Sequence, residues 1–401
     1  MGVPTRARRT DGASAVVFSV LGRVGSRIIS SLGLGVVIVL VARAAGPAEF
    51  GVFMAAFAVG SVGGLVCGFG APVRVLRIAG QDRHLAGQLY VMYVLAILLA
   101  GALAVAVCGF AGLGMPVIAG LVFAIGDAVQ GYAQAHFTGL DRQGIANLLV
   151  VTHRMPPLFA VIVIQMDRWT EHSWAVMVVA FLVSVVVGVL VPIRAAAGVD
   201  PAGALSCVSG GLDYWGYSLS AVTTQLQLPL LGLVASPEVT GWFALATRVV
   251  GPIALVPTSA AAIAVPELVR RQGSIAARER LTRQLYGACG GYAILVCLGA
   301  VPLAYLLLHF TGPEYDAALP ILIGAIVGAA VSSFSQGFNA RLLADGRPRH
   351  AMWSILAGSV VGLTLIAALG RSGSAVALGS VAVVSQVVVL IVMMGAVRAE
   401  K

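Results

Sequence analysis

The sequence predicts an all-α polytopic membrane protein of about 12 transmembrane helices. They form two pseudo-symmetric six-helix lobes, 1–200 and 201–401, around a central cavity. Three observations predict it. Of the 401 residues, 59% are hydrophobic and 10% charged, with a mean hydropathy of +0.98, whereas a soluble domain carries about 25% charge. The apolar runs, such as 175–191, are nearly continuous, where a membrane β-strand would alternate apolar and polar over about ten residues. Finally, a segment at the junction of the first two spans of each half repeats, as set out below.

A helix needs about 20 mostly apolar residues to cross a hydrocarbon core about 30 Å thick. Cutting at charged and Pro/Gly-rich breaks gives spans near 15–42, 50–70, 86–110, 115–138, 144–165 and 173–193. The second half gives 212–235, 240–266, 284–309, 317–339, 350–369 and 374–397. The first run follows Arg6, Arg8 and Arg9 like a signal peptide, but it is too long for one and contains Arg23 and Arg27, so it reads as a retained span. Gly60, Gly64 and Gly68, four apart, permit close helix contact in the second span. Pro229, Pro252, Pro257, Pro266 and Pro302 should kink spans seven to nine, and Pro156-Pro157 should bend the fifth.

The junction of spans one and two reads Gly46-Pro47-Ala48-Glu49-Phe50-Gly51-Val52-Phe53. That of spans seven and eight reads Ser236-Pro237-Glu238-Val239-Thr240-Gly241-Trp242-Phe243. Pro, Gly and Phe coincide at an offset of 190 residues, six helices along. Capping explains the prolines and the nearby acids, but not the glycine and phenylalanine beyond the turn. Two parallel lobes related by an axis along the membrane normal place a ligand site between them and work by rocking.

Eighteen of the 25 basic residues fall at one set of loops and tails, three (Arg43, Arg168, Arg371) at the other, and four inside spans. The positive-inside rule puts both termini in the cytoplasm. The net charge of +9 is thus a topology signal with attraction to anionic lipid, and nucleic-acid binding is not needed to explain it. The five cysteines lack CxxC spacing and sit in or beside apolar runs, as packing residues do. No loop is long enough for a soluble catalytic domain, no P-loop motif occurs, and no Ser/His/Asp or Cys/His set stands on adjoining loops. Neither an enzyme, a metal site nor a cofactor is expected.

Charged and polar residues at bilayer depth are costly and mark functional sites or paired partners. Arg23 and Arg27 share a helix face, as do Asn147 and Arg154, while Asp127, Gln130 and Gln134 form a stripe. Arg248, Gln225, Gln227, Gln336 and Asn339 are the candidates in the second half. Arg23, Arg27, Arg154 and Arg248 against Asp127 leave a surplus of positive charge that suits an anionic ligand, and guanidinium forks match phosphate oxygens. Asp127 is the candidate for coupling to a proton or cation, or else a structural partner of Arg154.

With Arg43-Ala44-Ala45 before the first junction, Gly312-Pro313-Glu314-Tyr315-Asp316-Ala317-Ala318-Leu319-Pro320 before the tenth span and Ala344-Asp345-Gly346-Arg347-Pro348-Arg349 after it, the chain resembles the polysaccharide (O-antigen and exopolysaccharide) flippase branch of the multidrug/oligosaccharidyl-lipid/polysaccharide exporter superfamily. The resemblance implies flipping of an undecaprenyl-pyrophosphate-linked oligosaccharide from the cytoplasmic to the outer leaflet of the bacterial inner membrane, for cell-surface polysaccharide or lipopolysaccharide biosynthesis. It also implies polysaccharide polymerase and export proteins as partners. Lipid II flippases of the superfamily look similar in placing arginine on the first and eighth helices, but have two further helices. A multidrug or small-solute antiporter of the same fold is the alternative and should show acidic residues in the cavity.

Overall fold

In the computed structural model, residues 13–399 are described apart from 81, 141, 168–169, 171, 198, 200–211, 220–221 and 272. Of residues 13–32, 77, 143, 166–167, 212–213, 216–217, 249, 262–263, 266, 270 and 348, only the backbone is described. The chain is helical throughout, with no strand among these residues.

The first half comprises α1 (Ala13–Cys67), α2 (Ala71–Ile78), α3 (Arg83–Phe110), α4 (Met115–Gly139), α5 (Gln143–Asp167) and α6 (Ser173–Leu190). The second comprises α7 (Leu212–Leu219), α8 (Val222–Gln225), α9 (Gln227–Val234), α10 (Pro237–Val249), α11 (Gly251–Arg270), α12 (Ile275–Leu298), α13 (Ala300–Thr311), α14 (Leu319–Ala344), α15 (Pro348–Leu369) and α16 (Ala375–Arg398). Among the described residues nine helical stretches are long and apolar enough to cross a membrane, and the bent pair α12–α13 makes a tenth. Expected spans one and two are the limbs of α1, joined at Gly46, whose φ of 74° breaks the helix ahead of Pro47. Helix α3 shows what faces lipid: Leu95, Leu99, Leu103 and Val107, spaced by four, are each at least half exposed. In water such a stripe would be a liability; here it marks a multi-pass membrane protein.

The helix breaks follow some of the prolines and pass over others. In the seventh span α8 and α9 part at Leu226, three residues before Pro229, and residues 220–221, between α7 and α8, lie outside the described residues. The eighth breaks at Val250, two residues before Pro252, yet α11 continues through Pro257 and Pro266. The ninth bends by 55° three residues before Pro302. Helix α5 runs unbroken through Pro156 and Pro157, because the carbonyl that Pro157 cannot serve, that of His153, accepts a 2.9 Å hydrogen bond from Ser184 Oγ of α6. Replacing Ser184 with alanine leaves that buried carbonyl unpaired. It should cost about 1 kcal/mol, read as a lowered Tm in detergent. The short helix α2, between spans two and three, was not foreseen.

Within each half the helices pack as a lobe: α1, α4, α5 and α6 in the first, α11, α12, α14, α15 and α16 in the second. The lobes meet where the repeated segments cross. A Cβ at Gly51 would lie 2.1 Å from the carbonyl oxygen of Pro237, and one at Gly241 would lie 1.9 Å from that of Pro47. The contact is reciprocal, each glycine receiving the other copy's proline, which no turn requirement alone demands. The motif at Gly312 joins the same place: Tyr315 Oη donates to the Ala42 carbonyl at 3.1 Å, and Trp174 Nε1 donates to Glu49 at 2.6 Å. Phe50 and Phe53 are buried there, with Phe53 within 5.2 Å of Trp174. The fourth motif serves elsewhere, Asp345 pairing with Arg278 of α12 and with Arg341.

Candidate functional site

From this crossing the second limb of α1 runs between the lobes, and along it opens a cavity of about 310 Å³. Phe57, Ser61, Gly64 and Leu65 of α1 and Gly68 just after it line one side, Tyr93 of α3 and Ala124, Asp127, Ala128 and Gly131 of α4 another; the second lobe supplies Ser218, Gln225 and Arg248. Tyr93 Oη donates to the Ala128 carbonyl at 2.9 Å and holds α3 to α4. Beyond the cavity the lobes touch again. Trp215 Nε1 donates to the Val66 carbonyl at 2.9 Å, and its ring lies 5.7 Å from that of Phe69, a residue held at φ 47°. The cavity therefore lies between two inter-lobe contacts.

Its charges are few. Arg248 stacks over the Phe57 ring at 4.5 Å, a cation–π contact that spans the lobes. The ring satisfies the guanidinium face and leaves its edge for an oxygen. Asp127 lies on the opposite wall, its side chain 41% exposed, held at 2.9 Å by Arg154, which is 11% exposed and stands behind it. Arg154 is not in the lining: it neutralises Asp127, and two of its nitrogens are buried with no hydrogen-bond partner among the described residues. His153, 1% exposed, packs beside this pair against Gly126. Among the described side chains the expected large positive surplus thus reduces to one cation, Arg248, facing one paired carboxylate. Arg23 and Arg27 lie on the first limb of α1, and their side chains fall outside the described residues.

The expected polar lining divides. Gln225 lines the inter-lobe cavity. Gln227, Gln336 and Asn339 do not; they line a separate cavity of about 200 Å³ within the second lobe, among α8, α9, α14, α15 and α16. Its polar walls are neutral, with Ser332, Ser335, Ser359, Ser385 and Gln386, and Asn339 donates to Gln336 at 3.3 Å. Gln130 is buried, and neither it nor Gln134 nor Asn147 lines either cavity. The stripe on α4 therefore splits, Asp127 facing the ligand space while Gln130 is buried away from it.

Sequence reasoning missed Phe57, Tyr93 and the serines. Gln386, alone in an apolar span, was a visible signal; the serines were not, since serine is common in spans and bonds to its own helix. Gly64 and Gly68, read as packing residues, also make room for the cavity, while Gly60 does pack, against Ala124. A narrow apolar groove of about 160 Å³ runs behind, between α1, α3 and α4, and shares Gly64, Ala124 and Ala128 with the charged cavity. Among the described residues no three His, Cys, Asp or Glu side chains come together to hold a metal.

The fold is similar to that of solved MOP-superfamily transporters. The structure of the lipid II flippase MurJ in an inward closed conformation superposes with a TM-score of 0.69 at 12% identity, covering 96% of this chain and 88% of that one. An inward-facing multidrug resistance MATE family transporter gives 0.64 at 15% identity, over 92% and 95%. A MOP superfamily transporter from Pyrococcus furiosus, described by the reverse polarity of its binding pocket, gives 0.55 at 15% identity, over 94% and 92%. No family model matches the chain, and no curated protein sequence matches it. At these identities the likeness shows the fold.

Proposed function

We propose that the protein is a flippase for an undecaprenyl-pyrophosphate-linked oligosaccharide. On this reading it carries the glycan from the cytoplasmic to the outer leaflet of a bacterial inner membrane by alternating access, the two halves, 1–200 and 201–401, rocking about their crossing. The observation that carries it is the shared wall of Gly64, Ala124 and Ala128, with a cation-faced cavity on one side and an apolar groove on the other. An anionic head group on a hydrocarbon chain has those two demands. Arg248 takes an oxygen of the pyrophosphate, and Arg23 and Arg27 are proposed to meet it from the first helix. Asp127, released from Arg154, is the proposed coupling group. Polysaccharide polymerase and export proteins are the proposed partners, and the cytoplasm is the proposed side of both termini, an orientation supported by the distribution of arginines.

The second reading is a multidrug or small-solute antiporter. It is favoured by the exposed Asp127 carboxylate, which would attract an organic cation. Deleting the gene separates the two. Completed lipid-linked repeat units are expected to accumulate on the cytoplasmic side with loss of surface polymer. Unchanged glycan pools with increased drug sensitivity would select the antiporter.

A further inference from the structure

The end of the first lobe that carries its loop arginines holds another cavity, of about 670 Å³, between α3, α4, the start of α5 and the turn Ile193–Ala196. Its polar lining is cationic: Arg83 opens α3, Arg142 precedes α5, Arg194 stands in the turn, and His84 and His136 lie between. No carboxylate belongs to this lining among the described residues. Asp82, adjacent to Arg83, accepts the 2.9 Å hydrogen bond from the Leu85 amide that caps α3. Arg83, Arg142 and Arg194 form no ion pair among the described residues, and Asp141 lies outside them.

The packing keeps these like charges around one space. A Cβ at Gly87 would lie 2.2 Å from the Ala195 carbonyl oxygen, so the glycine seats the arginine-bearing turn on α3. Tyr132 Oη donates to the Ala86 carbonyl at 3.3 Å and Tyr90 Oη to that of Val189, tying α3 to α4 and α6 just beneath. His136, 6% exposed, lines the same space, and its Nδ1 is buried with no hydrogen-bond partner among the described residues. A buried ring nitrogen and three guanidinium groups, all without a partner among the described residues and lining one space, suit an oxyanion. Topology requires only that basic residues stay on one side; it does not require them to converge on a cavity. The rim adds Ile145 and Val191, both exposed and apolar.

We propose that this cavity binds a phosphoryl group, presented by the head group of an anionic phospholipid in the adjoining leaflet or by a free phosphate compound. The lipid source agrees with basic pockets between helices on the cytoplasmic side of membrane proteins and with the apolar rim. The site is separate from the inter-lobe cavity, and its test does not depend on transport.

The test compares purified full-length protein with the R83Q/R142Q/R194Q variant and with R280Q/R283Q/R349Q, which removes three exposed arginines from the first turns of α12 and α15, outside the cavity. Native mass spectrometry with phosphatidylglycerol should show one lipid retained in preference to phosphatidylcholine, about tenfold less in the first variant and unchanged in the second. Stabilisation by inorganic phosphate, lost in the first variant, without preferential lipid retention would assign the site to free phosphate. Equal retention of phosphatidylglycerol and equal response to phosphate in all three proteins would overturn the proposal, as would equal losses in both variants. Should the first variant not be recovered folded, Arg142→Gln alone, at an exposed helix end, carries the same comparison with about a threefold loss expected.

Discussion

Replacing Arg248 with glutamate is expected to lower transport of a lipid-linked anion by a hundredfold or more while the protein still folds. The guanidinium is the single described cation that faces the inter-lobe cavity, held over Phe57 at 4.5 Å. Reversal replaces attraction with repulsion, and a unit charge about 4 Å from an anion is worth about 4 kcal/mol at an effective dielectric of 20. Loss of the cation–π contact alone costs about 1 kcal/mol, so Arg248→Leu should be milder in stability yet still poor in transport. The measurement is flipping of a fluorescent polyprenyl-pyrophosphate glycan in proteoliposomes, with folding checked by size exclusion and Tm. Wild-type rates in the glutamate variant would remove Arg248 from the substrate path.

The second large effect is expected at the crossing of the repeats. A valine at Gly241 would drive its Cβ to within 1.9 Å of the Pro47 carbonyl oxygen, against backbone that cannot rotate away. The lobes must then separate at that end, at a cost of about 1–3 kcal/mol for the displaced packing. The expected result is a protein held in the conformation open at this end, with transport lost. Its signature is a longer spin-label distance across the crossing in Gly241→Val than in wild type. Gly51→Val should behave alike, since its Cβ meets the Pro237 carbonyl. Unchanged distances in both variants would contradict a close approach that matters for closure.

How much of this was legible in the residues follows from where the information lies. Helix class and the approximate spans come from composition and run length, which the bilayer dictates. The repeat announced two lobes because Pro47 and Gly51 match Pro237 and Gly241. It did not say that the copies touch, which depends on the three-dimensional offset of two helices. The polar candidates were visible as exceptions in apolar runs, and a pairing of Asp127 with Arg154 was one of two readings the residues left open. Arg154 and Asp127 lie 27 residues apart, and only packing of α4 against α5 turns the arginine from a ligand-facing cation into a neutralising one. By contrast, Gln225 and Gln227 are two apart, about 200° around a helix, and reach different cavities as that spacing dictates. Ser184 was invisible as a partner because it answers a carbonyl that Pro157, on another helix, leaves free.

The reciprocal seating of Gly51 on Pro237 and Gly241 on Pro47 has the form of an isologous interface, the self-complementary contact of a two-fold dimer. Both partners here belong to one chain. A six-helix ancestor that paired with a second copy of itself would present this same surface, and fusing the two would preserve it without new contacts. Such a joint also inherits the dimer's arithmetic: a substitution in an ancestral homodimer is felt twice, whereas here each copy is free to change singly. The two halves show what that freedom has allowed, the Asp127–Arg154 ion pair standing in one and, in a separate cavity of the other, an uncharged cluster of amides and hydroxyls.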